Sequence, residues 1–254
     1  LNKSKKLVKE QEIPSGHNKD DYIVERIEFN SHDGRLVPLT ITRHKKTKLD
    51  GSANLLLYGY GSYGSSMSPN FSSIRLSLIN RDIIWATAHI RGGMEKGKKW
   101  YEDGKKKNKL NSFKDFITCA EFLKKENISE NITIHGGSAG GLLIGASINI
   151  SPNTFHCAVA EVPFVDVLNT ILDDTLPLTP PEWEEWGNPI KNKSDFDYIG
   201  SYSPYDNIKE QNYPTILATS GLTDPRVNYW EATKWIAKLR SKKTNDNPVF
   251  LKTY

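Results

Sequence analysis

Apolar residues recur along this chain in two periods. Over residues 22–29 and 36–42 apolar and polar positions alternate, as in half-buried strands, and Ser31-His32-Asp33-Gly34 between them predicts a hairpin turn. Further on, the apolar residues gather in short runs over residues 55–58, 83–90, 132–134, 157–162, 215–220 and 248–251. Runs of that length bounded by turn residues read as buried strands, and helical spacing falls between most of them. The clearest helix is predicted from Ser112 to about Glu126, with Phe113, Phe116, Ile117, Ala120 and Leu123 on one face and Ser112 with Asp115 as a capping pair. A second runs from Asn228 to about Lys242 and carries Trp230, Ala237 and Leu239. Two antiparallel strands leading into β-α-β repeats predict an α/β class fold: a mostly parallel, eight-stranded sheet with right-handed crossovers and helices on both faces.

The least polar part of that pattern holds the candidate chemistry. From Ile132 to Ala160 there is no Asp, Glu, Lys or Arg, so strand, turn, helix and next strand are expected inside a sheet covered on both faces. The run is too interrupted by Asn149, Ser151, Pro152, Asn153 and His156 to span a membrane. At its centre Gly136-Gly137-Ser138-Ala139-Gly140-Gly141 joins strand to helix. A serine on such a turn needs glycine neighbours so that backbone can pass close by, and the helix that follows aims its amides at charge developing on the reacting group. Ser138 is therefore the candidate nucleophile, and the Ala139 amide a candidate donor to an oxyanion. The elbow falls on the fifth strand, its place in an α/β-hydrolase fold.

A serine hydroxyl needs a histidine to take its proton and an acid to orient that histidine, and in this fold the chain order is Ser, acid, His. Asp224, on the loop after the strand at residues 215–220, is the candidate acid, with Asp166 as runner-up. The histidines, His17, His32, His44, His89, His135 and His156, all precede Asp224, so none fits the order. The expectation is a C-terminally truncated hydrolase domain that lacks its catalytic histidine and is inactive alone.

Composition narrows the class. The chain has 254 residues, 37% hydrophobic and 25% charged, enough for one large domain with a full core, and its mean hydropathy of -0.55 reflects a Lys- and Asn-rich surface. Leu1 to Lys9 is basic with no apolar stretch behind it, so no signal peptide is read there. Cys119 and Cys157 read as buried free thiols, and a cytoplasmic location is the expectation. The net charge of +4 conceals an asymmetry: between Lys125 and Lys191 there is no Lys or Arg, but there are nine carboxylates, Glu182, Glu184 and Glu185 among them. A cationic substrate would be drawn towards the serine. Lys96, Lys98, Lys99, Lys105, Lys106, Lys107 and Lys109 lie in a Gly-punctuated stretch without stacking aromatics, and are read as solvated charges rather than a nucleic-acid patch. No cofactor motif, metal-ligand cluster or phosphate loop occurs, so neither cofactor nor metal is expected.

Several strings taken together carry a resemblance. Tyr58-Gly59-Tyr60-Gly61-Ser62-Tyr63-Gly64, Ile90-Arg91-Gly92-Gly93, Trp100-Tyr101-Glu102-Asp103-Gly104, the Ser138 elbow, Val162-Pro163-Phe164-Val165-Asp166, Glu184-Glu185-Trp186-Gly187-Asn188-Pro189 and Tyr202-Ser203-Pro204-Tyr205-Asp206-Asn207 occur in order. With them the chain resembles the prolyl oligopeptidase family of serine peptidases, and within it the oligopeptidase B branch. The resemblance implies cleavage of short peptides after Arg or Lys. It implies further that Tyr60 supplies the second oxyanion donor, that Glu182 with Glu184 nearby and Phe164 as an apolar wall receives the basic side chain, and that Arg226 anchors a substrate carbonyl. The branch commonly has two acids where Ser68 and Asn70 stand here, which removes the basis for a dibasic preference.

The same resemblance divides the chain. Residues 1–20 are expected to be a linker from a missing N-terminal, propeller-like domain, and residues 21–254 the catalytic domain without its C-terminal end. The expected partners are short basic peptides, with no nucleic acid or membrane, and self-association through an uncovered sheet face. A non-catalytic binding domain and a small-ester hydrolase on the same fold are the alternatives.

Overall fold

The hairpin forms as β1 (Tyr22–Asn30) and β2 (Leu36–His44), paired antiparallel from Tyr22↔His44 to Asn30↔Leu36. Gly34 closes it at φ 79°, in the left-handed region that glycine enters without penalty. The structure, a computed structural model, describes residues 4–14 and 16–254. After the hairpin come β3 (Leu55–Tyr58), α1 (Ser73–Ile79), β4 (Ile84–Ala88), α2 (Lys98–Glu102), α3 (Leu110–Lys125), β5 (Ile132–Gly137), α4 (Ala139–Ile150) and β6 (Cys157–Glu161). Then follow α5 (Val167–Leu172), α6 (Thr179–Trp186), α7 (Lys193–Gly200), β7 (Thr215–Ser220), α8 (Tyr229–Lys242) and β8 (Val249–Thr253). One eight-stranded sheet results, in the order β1-β2-β4-β3-β5-β6-β7-β8, and every pairing from β4 to β8 is parallel. This is the α/β-hydrolase architecture the pattern predicts.

The core lies against one face of the sheet. Leu55, Leu57, Ile132, Ile134, Ala158, Ala160, Ile216 and Ala218 are buried there with Phe113, Phe116 and Leu123 of α3, Leu142 and Leu143 of α4, and Trp235, Ile236 and Leu239 of α8. The other face is covered at one end, where α1 buries Leu76 and Ile79 and lays Arg75 5.2 Å over the Trp85 ring. Along β7 and β8 that second face is open, with Leu217 at 38% and Phe250 at 53% exposure. The uncharged run at 132–160 predicts two covered faces, but burial along β5 and β6 alternates instead. Thr133, His135, Gly137, Cys157 and Val159 occupy the half-buried positions, most of them small or polar. Small and uncharged polar side chains tolerate partial hydration, so lack of charge did not require cover.

A second difference concerns α3. It begins at Leu110, and Ser112 and Asp115, predicted to cap it, are fully buried inside it. Arg91 is the reason. Its guanidinium is 2% exposed and donates to both oxygens of Asp115, while Ser112 Oγ donates to the Arg91 carbonyl at 2.7 Å. A buried cation requires a buried partner, and α3 supplies it rather than an exposed cap.

Candidate active site

The nucleophile turn is built by exclusion of side chains. Ser138 sits between β5 and α4 at φ 56°, ψ -121°, a conformation that costs roughly 1–3 kcal/mol outside glycine. It persists because both ends of the residue are tied to neighbouring backbone. The Ser138 amide donates to the Glu161 carbonyl at 2.9 Å, and its carbonyl accepts from the Phe164 amide at 3.0 Å. A Cβ on Gly136 would lie 2.4 Å from the Gly140 carbonyl oxygen, and one on Gly141 2.4 Å from Pro163 Cα. The opposing turn is bent as well: Val162, before Pro163, has φ 39°.

Two hydrogen-bond donors face the serine. The Ala139 amide is the first of α4 and has no carbonyl one turn back to occupy it. Tyr60 is half-buried on the loop after β3, its hydroxyl against that of Ser138. Burial, then the neighbouring Tyr58, raise the Tyr60 pKa, while the Ser138 contact opposes them. The phenol therefore stays protonated at neutral pH and can donate to an anionic oxygen.

A cavity of about 390 Å³ opens from this point and gathers Ser138, Tyr60, Phe164, Glu182 and Arg226. Glu182 is half-buried, accepting from the Tyr63 hydroxyl at 2.9 Å and from the Trp186 indole. Phe164 packs 5.6 Å from the Trp186 ring. Glu184 is placed elsewhere: its side chain is 86% exposed, pairs with Lys106 at 3.1 Å and does not line the cavity. One residue on along α6 the side chain points inward, so Glu184 and Glu182 face different environments.

Asp224 lies on the loop at the rim. Its Oδ1 accepts from the amides of Arg226 at 2.8 Å and Val227 at 3.1 Å, a turn geometry that leaves Oδ2 without a donor among the described residues. Asp166 is committed otherwise, being 3% exposed and bound to Lys234 and Asn169. No histidine lines the cavity. His135 is half-buried with Nε2 3.2 Å from the Glu161 carboxylate, and His89 is buried between Thr40 and Glu95.

Four charged or polar groups escaped the sequence reading. Lys109, grouped there with solvated lysines, is 1% exposed, and burial lowers its ammonium to about 8. Glu185 is 3% exposed. Glu231, at the start of α8, is 1% exposed and accepts from the amides of Val165 and Asp166 and the Thr170 hydroxyl. Burial pushes that carboxyl up to about 7 against those hydrogen bonds. Tyr63, left-handed at φ 59°, touches Glu182 directly. Tyr63 and Glu185 left a trace in the sequence, as the third tyrosine of a Gly-rich string and as part of the Glu184-Glu185-Trp186 string, but neither string showed what they hold. Among the described residues no group of three or more His, Cys, Asp and Glu side chains is placed to hold a metal ion. No helix among them is long and apolar enough to cross a membrane.

Comparison with known proteins agrees with this geometry. Residues 69–254 match the prolyl oligopeptidase family. Dipeptidyl aminopeptidase BI of Pseudoxanthomonas mexicana is 45% identical over 252 residues, covering 98% of this chain and 35% of that protein. Protease 2 of Moraxella lacunata is 44% identical over 243 residues, covering 95% and 35% respectively. The solved oligopeptidase B from Leishmania major superposes with a TM-score of 0.95 at 46% identity, over 99% of this chain and 35% of that one. The chain thus spans about 35% of the length of the relatives it matches.

Proposed function

The chain belongs to the prolyl oligopeptidase family, and from that premise we propose that it is the catalytic part of a serine oligopeptidase that cleaves short peptides after Arg or Lys. Ser138 Oγ attacks the scissile carbonyl carbon, and the carbonyl oxygen, now an anion, takes hydrogen bonds from Ala139 N–H and Tyr60 O–H. Collapse of the tetrahedral intermediate expels the amine and leaves an acyl-Ser138, which water hydrolyses by the same steps. The proton of Ser138 goes to an imidazole held by the unoccupied Oδ2 of Asp224, and from there to the nitrogen of the departing amine. Since no histidine of residues 1–254 lines the cavity, we assign that imidazole to a residue outside them.

The observation that carries the substrate class is Glu182. Its carboxylate shares one cavity with the nucleophile and is oriented by two donors, neither of them cationic. A guanidinium or ammonium entering beside Phe164 would meet an unpaired negative charge at fixed distance from Ser138. Arg226, exposed at the same cavity, suits a backbone carbonyl of the substrate. Residues 4–12 are exposed and without helix or strand, which suits the proposed role of residues 1–20 as a link to an upstream domain.

Glu182→Gln in the protein encoded by the complete reading frame tests the pocket. We expect kcat/KM for Arg and Lys peptides to fall on the order of 100-fold, or about 3 kcal/mol, with little change for uncharged esters. An unchanged preference for basic residues would remove Glu182 from the pocket. For the 254-residue chain by itself, the expected outcome is no labelling of Ser138 by a fluorophosphonate within the time that labels the complete protein.

A further inference from the structure

The loop that carries Tyr60 is held by two buried charged residues of opposite type, Lys109 and Glu185. Lys109 Nζ donates to the Gly61 carbonyl at 2.6 Å and to Ser62 Oγ at 2.9 Å, and lies 5.1 Å from the centre of the Trp186 ring. Glu185 accepts from the Tyr63 amide at 3.0 Å and from the Tyr101 hydroxyl at 2.6 Å. Neither residue touches the cavity. Burying an ion costs several kcal/mol unless its partners replace water, so two such ions beside one loop call for a reason.

The loop supplies one. Gly61, Tyr63 and Gly64 have φ of 70°, 59° and 64°, a left-handed sequence that includes a bulky aromatic residue. Such backbone persists only where its surroundings over-determine it. The Lys109 and Glu185 bonds fall on Gly61, Ser62 and Tyr63, immediately after Tyr60. Glu185 and the pocket acid Glu182 stand on the same helix α6, and the Tyr63 side chain bridges back to Glu182.

We propose that Lys109 and Glu185 are positioning residues that hold the Tyr60 hydroxyl where the oxyanion forms and, through Tyr63, tie its loop to the helix that receives the basic side chain. The inference rests on the oxyanion role given to Tyr60 above. It makes α6 the common support of substrate recognition and transition-state stabilisation. A cationic side chain seated at Glu182 is then in fixed register with the donor that stabilises attack on the adjoining carbonyl.

A double-mutant cycle in the protein from the complete reading frame tests it. Glu185→Gln, which keeps size and acceptor but not charge, and Lys109→Met are each measured alone and in a Tyr60→Phe background, on an Arg peptide and an uncharged ester. Each single variant is expected to lower kcat by about 10- to 100-fold on both substrates, approaching the loss of one oxyanion donor, with KM nearly constant. In the Tyr60→Phe background neither should cost more than about twofold further. Losses that multiply with Tyr60→Phe, or that fall on KM for the basic peptide alone, would overturn the proposal. Should Lys109→Met fail to fold, the isosteric Glu185→Gln decides by the same criterion. A wild-type protein that hydrolyses the ester but not the basic peptide would refute the substrate class and still leave the cycle readable on the ester.

Discussion

Two turns leave adjacent parallel strands of the sheet and meet over one cavity; both are closely packed, and one of them is held by buried charged side chains as well. The turn after β5 relies on close packing and backbone hydrogen bonds: backbone of residues 140 and 163 fills the space where side chains on Gly136 and Gly141 would be. The turn after β3 is also held by charged side chains, Lys109 and Glu185, both removed from water. Packing forces act over less than an ångström and tolerate no added atom. Buried ions act through directed hydrogen bonds, carry a desolvation cost, and respond to protons. The nucleophile is thus placed by a rigid device and its oxyanion donor by one that chemistry can adjust.

The sharpest way to break the contrast is on the packed side. Gly136→Ala puts a Cβ 2.4 Å from a backbone oxygen that no rotamer change can move. It should destabilise the fold by about 2–3 kcal/mol in urea unfolding and remove activity with it. An alanine accommodated at less than about 0.5 kcal/mol would show that the elbow is looser than its geometry.

A buried carboxylate outside both turns, Glu231, predicts an effect of similar size but conditional on pH. Glu231 bolts the start of α8, just past the Asp224 loop, to Val165 and Asp166, next to the cavity residue Phe164, and to Thr170 of the cavity wall. Around it stand Asp166, whose charge raises its pKa further, and Lys234, which pairs with Asp166. Its folded pKa of about 7 lies above the ordinary glutamate value of 4.5, so the folded state holds this proton more tightly than the unfolded one. That contribution to stability is full below about 4.5 and lost as pH rises through 7. Glu231→Gln cannot titrate, and should gain up to about 3 kcal/mol relative to wild type between pH 4.5 and pH 8, read from unfolding at both values. An unchanged pH dependence would mean that the carboxyl is ionised without cost.

The smallest effect separates neighbours on one helix. Glu184 pairs with Lys106 in solvent, and such pairs contribute about 0–1 kcal/mol. Glu184→Gln should change kcat/KM for Arg peptides less than about twofold, against the hundredfold expected at Glu182. A large loss at Glu184 would relocate the substrate cation to the outer face of α6.

How far the site was legible follows the same division. The elbow's glycines lie within a few residues of Ser138, so spacing alone exposes them even though the backbone they meet includes Pro163, and the apolar runs of the eight strands are equally local. Lys109 meets its loop across 48 residues and Glu185 across 122. At that range one sequence offers only residue type, and for a lysine in a run of lysines residue type predicts solvent. Ser112 and Asp115 mislead for a related reason: their local spacing suits a cap, but a buried arginine from another loop claims both. The half-open second face along β5 and β6 went unread because its positions hold Thr133, His135, Cys157 and Val159, none of them an Asp, Glu, Lys or Arg that would signal water.

The pairing of β3 with β5 has a consequence for precision. The four matched positions from Leu55↔Ile132 to Tyr58↔His135 lie directly before the two turns. They work as a gauge: the separation of Tyr60 from Ser138 is set by which residue faces which across the ladder. A slip of one residue would move one turn about 3.3 Å past the other and turn Leu55 and Leu57 out of the core. Hydrophobic burial several residues away thereby forbids misalignment of the nucleophile with its donor, and the tolerance of the chemistry is inherited from the indexing of two strands.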